Sequence, residues 1–113
     1  MAGKMITSDD DEKEIIPIIE IDKLIHEPAR LMIISLLYVV ESSDFLWIKG
    51  QTKLTDGNLS SHLSKLESAG YITVEKRIKN KKTNTLLKLS IGGRKAFEEY
   101  RKKLTQILES TNK

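Results

Sequence analysis

The sequence of 113 residues predicts a mainly α-helical domain that carries one small β-hairpin. Three observations lead to this prediction. Apolar side chains recur at helical spacing in several segments, whereas one segment, residues 71–89, alternates between apolar and polar side chains as strands do. Turn-forming residues separate these segments where an element would have to end. The predicted order is four helices, two strands and a final helix.

The N-terminal residues are polar and acidic. Residues 1–14 contain the block Asp9-Asp10-Asp11-Glu12, and this composition indicates a disordered acidic tail. The folded domain would then span residues 15–113. Within it, Pro17 interrupts an apolar stretch that runs to Ile25, so a first short helix is expected to begin near Ile18.

Two further helices are expected next. Pro28 suits the first turn of a helix from about Glu27 to Val40 or Glu41, and its apolar residues lie nearly all round, as in a central core helix. Ser42-Ser43-Asp44 ends this helix, and either serine or Asp44 can cap the following short one. That short helix runs from Phe45 to Leu54, and its packing candidates are Phe45, Leu46, Ile48 and Leu54.

The segment after Leu54 has the pattern of a short capped helix, residues 55–69. Leu59, Leu63 and Leu66 make one face apolar, Thr55 stands at the N-cap, and Gly70 stands where a left-handed residue would end the helix. This helix fits the major groove of DNA, although an ordinary amphipathic helix with a solvated face would show the same pattern. The opposite face carries small polar side chains and one cation: Asn58, Ser60, Ser61, Ser64 and Lys65.

The next residues have the pattern of a basic hairpin. Apolar and polar side chains alternate from Tyr71 to Ile78, the polar tip Lys79-Asn80-Lys81-Lys82-Thr83-Asn84 follows, and Thr85 to Leu89 returns as a second strand. Helix, glycine, strand, basic tip and strand is the order of a winged helix-turn-helix. This complete order is a stronger signal than any of its parts.

The last helix is predicted from Ile91 to about Ser110, with Ser90 as its cap. Its apolar side chains follow alternating spacings of three and four residues, which forms a seam of roughly three turns. A homodimer is the expected use of this seam, and packing back onto Ile18, Ile21 and Leu24 of the same chain is the alternative. The seam consists of Phe97, Tyr100, Leu104, Ile107 and Leu108.

The net charge of +3 is unevenly distributed along the chain. Residues 1–48 hold four basic and ten acidic side chains, whereas residues 49–103 hold fourteen basic and five acidic ones. The cationic excess therefore coincides with the proposed groove-reading helix and wing. A solvated lysine-rich surface could give the same count, but this coincidence favours a polyanion-binding surface and hence nucleic acid.

Several other classes of function find no support in the sequence. Without cysteine, disulfides, thiolate metal sites and cysteine redox switches are excluded, and a cytoplasmic location is expected. The longest apolar run, Leu31 to Val40, is about half the length of a membrane span. His26 is expected to form hydrogen bonds at a helix boundary, and His62 to pack on the helix surface or to contact phosphate. No enzyme, cofactor or metal site is predicted.

Residues from Ile21 to Leu108 resemble small prokaryotic winged-helix transcriptional regulators related to the MarR and ArsR groups. The resemblance rests on the segments Ile21 to Leu31, Asp44-Phe45, Leu54 to Leu63 and Gly92-Gly93-Arg94-Lys95-Ala96-Phe97. It implies a homodimeric DNA-binding regulator with the helix 55–69 as reader and the hairpin 71–89 as wing. The cysteine pair of the ArsR metal sensor is absent, so that mode of sensing is not implied, and no residue indicates a small-molecule effector.

The leading hypothesis is a sequence-specific regulator that binds duplex DNA and associates with the nucleoid. Base-edge contacts are assigned to Asn58, Ser60, Ser61 and Ser64, with Thr55 at the start of the helix. Phosphate contacts are assigned to Lys49, Lys53, Lys65, Arg77, Lys79, Lys81 and Lys82. A protein-interaction winged helix is one rival; it would need an exposed anchor, and the candidate, Trp47, is expected to be buried. A protein that coats the chromosome without sequence preference is a weaker rival.

Overall fold

A computed structural model of the protein describes residues 21–112. These residues form four helices and a three-stranded antiparallel sheet with strand order β1-β3-β2, which confirms the predicted mainly α-helical fold with a β wing. The elements are α1 (Pro28–Val40), β1 (Ser42–Asp44), α2 (Phe45–Thr52), α3 (Asp56–Ser68), β2 (Ile72–Lys79), β3 (Lys82–Leu89) and α4 (Ile91–Glu109).

The sheet contains a strand that the sequence did not reveal. Ser42–Asp44, interpreted above as a simple helix break, forms β1 and pairs with β3 from Ser42 opposite Lys88 to Asp44 opposite Leu86. Serine and aspartate have low intrinsic preference for strands, so this pairing depends on β3 being in place beside it. Asp44 also caps α2 by accepting a hydrogen bond of 2.8 Å from the backbone N–H of Trp47, as one alternative predicted.

The predicted first helix is wrong for the part of it that the structure describes. Residues 21–27 form turns, because the Asp22 carboxylate accepts hydrogen bonds from the backbone N–H groups of Leu24 (2.9 Å) and Ile25 (3.1 Å). These bonds give the backbone an alternative to helical pairing. Ile18 and the predicted acidic tail, residues 1–14, lie outside the described residues. The described part of the chain thus has four helices where five were predicted.

Helix α1 begins as predicted, with Pro28 at its first position. Glu27 is the N-cap and accepts a 2.8 Å hydrogen bond from the backbone N–H of Arg30. This bond is the main reason why the pKa of Glu27 is lowered. Ile33, Ile34 and Leu37 of this helix are fully buried, so α1 is the central core helix that its sequence predicted.

The second strand of the hairpin is longer and the turn is tighter than predicted. Strands β2 and β3 pair from Ile72 opposite Leu89 to Lys79 opposite Lys82, which leaves Asn80 and Lys81 as a two-residue turn. Both turn residues have positive φ, 54° and 65°, as a type I′ turn requires. Residues Lys82, Thr83 and Asn84, assigned above to the tip, therefore belong to β3. The hairpin leaves the core early, since no residue of β2 beyond Val74 is even half-buried.

The first turn of helix α4 contacts the joint between α3 and the hairpin. Ser90 caps it as predicted, and its hydroxyl accepts a 2.8 Å hydrogen bond from the Gly93 N–H and donates one of 2.6 Å to the Gly70 carbonyl. A Cβ atom at Gly93 would lie 2.0 Å from the carbonyl oxygen of Tyr71. Only glycine allows this close approach of the helix to the start of β2.

Candidate nucleic-acid interface

Helix α3 is fixed to the core along one side. Leu59 and Leu66 are fully buried and Leu63 is 5% exposed. The Thr55 hydroxyl caps the first turn by accepting a 3.1 Å hydrogen bond from the Asn58 backbone N–H, as predicted. These contacts fix the rotation of the helix, so the same side always faces outward.

The C-terminal end of α3 is also tightly specified. Gly70 has a φ of 81°, the left-handed conformation that its position predicted. The Gly70 N–H donates to the Glu67 carbonyl and the Tyr71 N–H donates to the Leu66 carbonyl, both at 2.9 Å. This pair of bonds is the Schellman motif. It turns the chain directly from α3 into β2 and so sets the hairpin beside the helix.

All the predicted reader residues are exposed: Thr55, Asn58, Ser60, Ser61, Ser64 and Lys65. At 100° per residue, Ser61 lies opposite the buried leucines, Asn58 and Lys65 lie on one flank, and Ser60 and Ser64 lie on the other. Ser60 and Ser64 face the hairpin across a groove of about 650 Å³. The structure therefore divides the predicted reader into an outer face and a groove-facing flank.

The groove between α3 and the hairpin includes residues that sequence reasoning missed. Asp56 and Glu67 line it from the helix, and Lys76 and Thr85 line it from the strands. Strand alternation offered a signal for Lys76, since Val74 and Lys76 share one face of β2 and that face turns towards α3. The position of Asp56 follows from helical spacing, because it precedes Ser60 by one turn.

The predicted wing cations are also exposed: Arg77, Lys79, Lys81 and Lys82. Arg77 and Lys79 alternate with Lys76 and Ile78, so they lie on the face of β2 away from the groove. Ile78 is 76% exposed and not part of the core. The wing thus carries positive charge on both faces and at its turn.

Lys49 and Lys53 differ from each other in environment. Lys49 is half-buried, and its Nζ lies 2.8 Å from Oδ1 of Asp56. The Lys49 side chain remains 39% exposed beside Asp56, so its assignment as a phosphate contact stays a prediction. Lys53 is exposed and ends α2 in the left-handed conformation.

Each histidine contacts a side chain from a distant part of the chain. Nδ1 of His26 lies 2.8 Å from the Tyr100 hydroxyl, which fits the predicted role at a helix boundary. Nδ1 of His62 lies 3.0 Å from Nη1 of Arg30 and 3.9 Å from Oε1 of Glu27. His62 is half-buried and connects α3 to α1, which agrees with the predicted packing role rather than with phosphate contact.

The predicted burial of two apolar side chains of α2 is wrong. Leu46 is 72% exposed and Trp47 is 39% exposed, whereas both were expected to pack. The buried residues of α2, Ile48 and Thr52, lie one turn apart on one side of the helix, and Leu46 and Trp47 fall outside that side. Val40 and Trp47 border a shallow surface depression beside β1.

The residues of the predicted dimerisation seam on α4 differ in how deeply they are buried within one chain. Phe97 is 7% exposed and Tyr100 is 2% exposed, so both lie in the core of a single chain. Their rings pack near Tyr38 and His26. The assignment of these two residues to a surface between chains is therefore corrected. Leu104 packs partly against the core, Ile107 is half-buried, and Leu108 is 60% exposed.

No helix within residues 21–112 is long and apolar enough to cross a membrane. In the same range, no three histidine, aspartate or glutamate side chains are grouped as a metal ion would require.

These observations define a winged helix: a capped helix with a polar outer side, followed by a basic two-stranded wing. The sequence matches a family model described as a winged helix DNA-binding domain over residues 29–108. The chain belongs to this family of DNA-binding domains, and the prediction that it is not an enzyme is confirmed with it.

The chain is also similar to individual proteins. An uncharacterized protein of Methanocaldococcus jannaschii, MJ0432, is 35% identical over 85 residues, which cover 75% of this chain and 92% of the relative. A transcriptional regulator homologue from Pyrococcus horikoshii OT3 has a similar fold, with a TM-score of 0.77, 24% identity and coverage of 81% of this chain and 91% of its own. NadR, solved in complex with 4-hydroxyphenylacetate, is similar at a TM-score of 0.64 and 24% identity, with coverage of 79% of this chain and 62% of NadR.

Proposed function

We propose that the protein is a transcriptional regulator that binds specific duplex DNA sequences as a homodimer. In this proposal α3 enters the major groove, and the β2–β3 wing lies along the backbone or in the adjacent minor groove. The observation that carries it is the exposed, small and polar outer side of α3, which three buried leucines hold in one orientation beside a cationic hairpin. A fixed helix with small side chains can approach base edges closely.

Helix α3 and the wing would make different kinds of contact with DNA. Asn58 and Ser61 on the outer side of α3 supply hydrogen-bonding groups for base edges, while the wing cations Lys79, Lys81 and Lys82 supply charge for phosphates. Phosphate contacts do not distinguish sequences, so specificity is assigned to α3 and a large part of the affinity to the wing. Binding to chromosomal DNA would place the protein at the nucleoid in the cytoplasm.

A protein of similar fold supports a role in transcriptional regulation. The Pyrococcus horikoshii protein is described as a transcriptional regulator homologue. The proposed homodimer would use the outer part of α4, because Ile107 and Leu108 retain exposed apolar surface and Phe97 and Tyr100 do not. A two-fold dimer would read two half-sites about one DNA turn apart.

Selection from randomised DNA duplexes tests whether the protein prefers a particular sequence. Wild type should enrich a palindromic sequence, and a variant with Lys79, Lys81 and Lys82 replaced by alanine should enrich the same sequence at lower affinity. For every phosphate that this variant no longer neutralises, the slope of log affinity against log salt should flatten by about 0.9. Asn58→Ala should instead alter the preferred base at one position. A wing variant that changes the consensus while Asn58→Ala leaves it intact would contradict the division of roles.

Failure to enrich any sequence, with binding that still depends on salt, would favour a non-specific chromosomal protein. Absence of duplex binding at low salt would favour a protein-interaction module, for which Trp47 and Val40 offer an exposed apolar surface.

Sedimentation tests the homodimer. Leu108→Asp should dissociate it while leaving the fold intact, because Leu108 is 60% exposed within one chain. Thr105→Asp, at an exposed polar position of the same helix, is the matched control for added charge. A wild-type protein that sediments as a 12.9 kDa monomer at micromolar concentration would contradict the proposed dimer.

A further inference from the structure

Asp56 is an acidic side chain at the start of α3, where the positive end of the helix dipole favours a carboxylate. It is the only acidic side chain from residue 49 to residue 66, a stretch that contains three lysines. It is the first residue of α3, and its side chain is 72% exposed even though it pairs with Lys49. A phosphate would repel this carboxylate, so Asp56 would not contribute to attraction by the DNA backbone.

Asp56 lies on the same flank of α3 as two of the residues proposed to read bases. Asp56, Ser60 and Ser64 follow one another at intervals of one helical turn, and all three line the groove beside the hairpin. In helix-turn-helix proteins the N-terminal residues of the reader helix are those that approach base edges. If α3 enters the major groove, Asp56 enters it at the leading end of the helix.

Lys49 forms an ion pair with this carboxylate. Its Nζ lies 2.8 Å from Oδ1 of Asp56, and its side chain remains 39% exposed, so the ammonium group can make a further contact. The pair therefore presents one acceptor and one cationic donor side by side. An arrangement held by an ion pair before binding loses less conformational entropy when it meets its target.

This donor and acceptor pattern matches one base pair better than the others. Cytosine presents only its N4 amino donor in the major groove, and guanine beside it presents the acceptors O6 and N7. In an A·T pair the adenine amino donor lies between two acceptors, adenine N7 and thymine O4, so a carboxylate bound to it would be repelled from both sides. In a C·G pair the acceptors lie on one side of the amino donor only, where the ammonium group can meet both of them. A C·G pair therefore satisfies the carboxylate and the ammonium group together.

We propose that the Lys49–Asp56 ion pair reads one C·G base pair in each half-site, with the carboxylate accepting from cytosine N4–H and the ammonium group donating to guanine O6 and N7. This inference rests on the proposed function, since it needs α3 in the major groove. It adds Lys49, a residue of α2, to the residues of α3 that would determine specificity.

Selection from randomised duplexes with the full chain tests the proposal. Wild type should prefer C·G about tenfold at one position of the half-site. In Asp56→Asn that preference should fall to about twofold and shift towards adenine, because an amide can pair with adenine N6 and N7 together. Glu67→Gln is the matched control, since it removes a carboxylate from the same groove at the opposite end of α3, and it should leave the consensus unchanged.

Lys49→Met supplies an independent measurement. Replacing guanine by 7-deazaguanine at the selected position removes N7, which should weaken wild-type binding several-fold and should leave Lys49→Met unaffected. The double variant should lose no more C·G preference than the more affected single variant, because both side chains act on one base pair.

Urea unfolding of each variant distinguishes loss of the fold from loss of base recognition. Asp56→Glu keeps the charge but moves it, so this variant should also lose the preference for C·G.

Two results would overturn the inference. One is an unchanged consensus in Asp56→Asn. The other is a gain in affinity for all sequences equally, which would show that Asp56 faces phosphate. Either result leaves the proposed function standing, provided that wild type still selects a sequence. Absence of selective duplex binding by wild type is a different outcome, and it would remove the proposed function itself.

Discussion

Helix α3 and the wing carry most of the residues assigned to DNA, but they are held in different ways. Three buried leucines, a capping hydroxyl and the Schellman motif at Gly70 fix α3 to the core. In the outer part of the hairpin, residues 75–83, every side chain is exposed. This part therefore depends on its cross-strand hydrogen bonds and its turn.

This difference suits the two kinds of recognition. Base readout requires side chains whose positions are fixed to a fraction of an ångström, because hydrogen bonds weaken steeply with distance and angle. Phosphate attraction falls off slowly with distance, so it tolerates adjustment of the wing. In the proposed function, a well-packed α3 would therefore supply specificity and a lightly anchored wing would supply affinity.

The largest expected difference between the two regions is in stability. Leu63→Ala should lower the free energy of unfolding by about 2–5 kcal/mol, because it leaves a cavity beneath the reader helix. Ile78→Ala is the matched change on the wing and should alter stability by less than about 0.5 kcal/mol, since Ile78 is 76% exposed. Urea unfolding measures both, and similar losses would show that the wing packs as tightly as the reader.

Substitutions at two adjacent glycines test the packing at the joint between α3 and the wing. Gly93→Ala should destabilise the protein by about 1–3 kcal/mol, because its Cβ would lie 2.0 Å from the Tyr71 carbonyl oxygen. Gly92→Ala is the control, since its Cβ would meet nothing closer than 3.6 Å. That change should be neutral or stabilising by up to about 1 kcal/mol, as alanine favours helix. Equal effects in thermal unfolding would show that the backbone adjusts at Gly93.

Tyr71 connects the base of the wing to the start of the described chain. Its hydroxyl donates a 2.5 Å hydrogen bond to Asp22, and partial burial together with this carboxylate raises its pKa to about 12. The neutral phenol therefore stabilises the fold fully below about pH 10 and progressively less as pH rises through 12.

Tyr71→Phe removes this dependence and the hydrogen bond, so it should cost about 1 kcal/mol at neutral pH. Unfolding free energies of both proteins between neutral and alkaline pH measure the effect. The difference between wild type and variant should shrink as pH rises; a constant difference would show that ionisation of Tyr71 is not linked to folding.

The smallest expected effect concerns the turn of the wing. Lys81 has a φ of 65°, a conformation that disfavours a lysine by roughly 1 kcal/mol. Lys81→Gly should therefore raise the melting temperature slightly while it weakens DNA binding by about one phosphate contact. Calorimetry and salt-dependent binding record the two changes. A decrease in both stability and affinity would indicate that the Lys81 side chain packs within the wing.

The sequence by itself determined the regular elements and their ends. Apolar spacing located α1, α3 and α4, and local chemistry located their limits at Pro28, Thr55, Gly70 and Ser90. These features are local, because capping bonds and helical periodicity involve residues only a few positions apart. The polar outer side of α3 could be predicted for the same reason.

The tertiary structure decided what depends on contacts between distant residues. Ser42–Asp44 became a strand because β3 lies beside it, and Phe97 and Tyr100 became core because α1 and residues 21–27 cover them. The Lys49–Asp56 ion pair likewise depends on the angle between two helices, which no local pattern specifies. Propensity and periodicity describe one element at a time, whereas burial, edge pairing and charge pairing are properties of two elements that meet only in the folded chain.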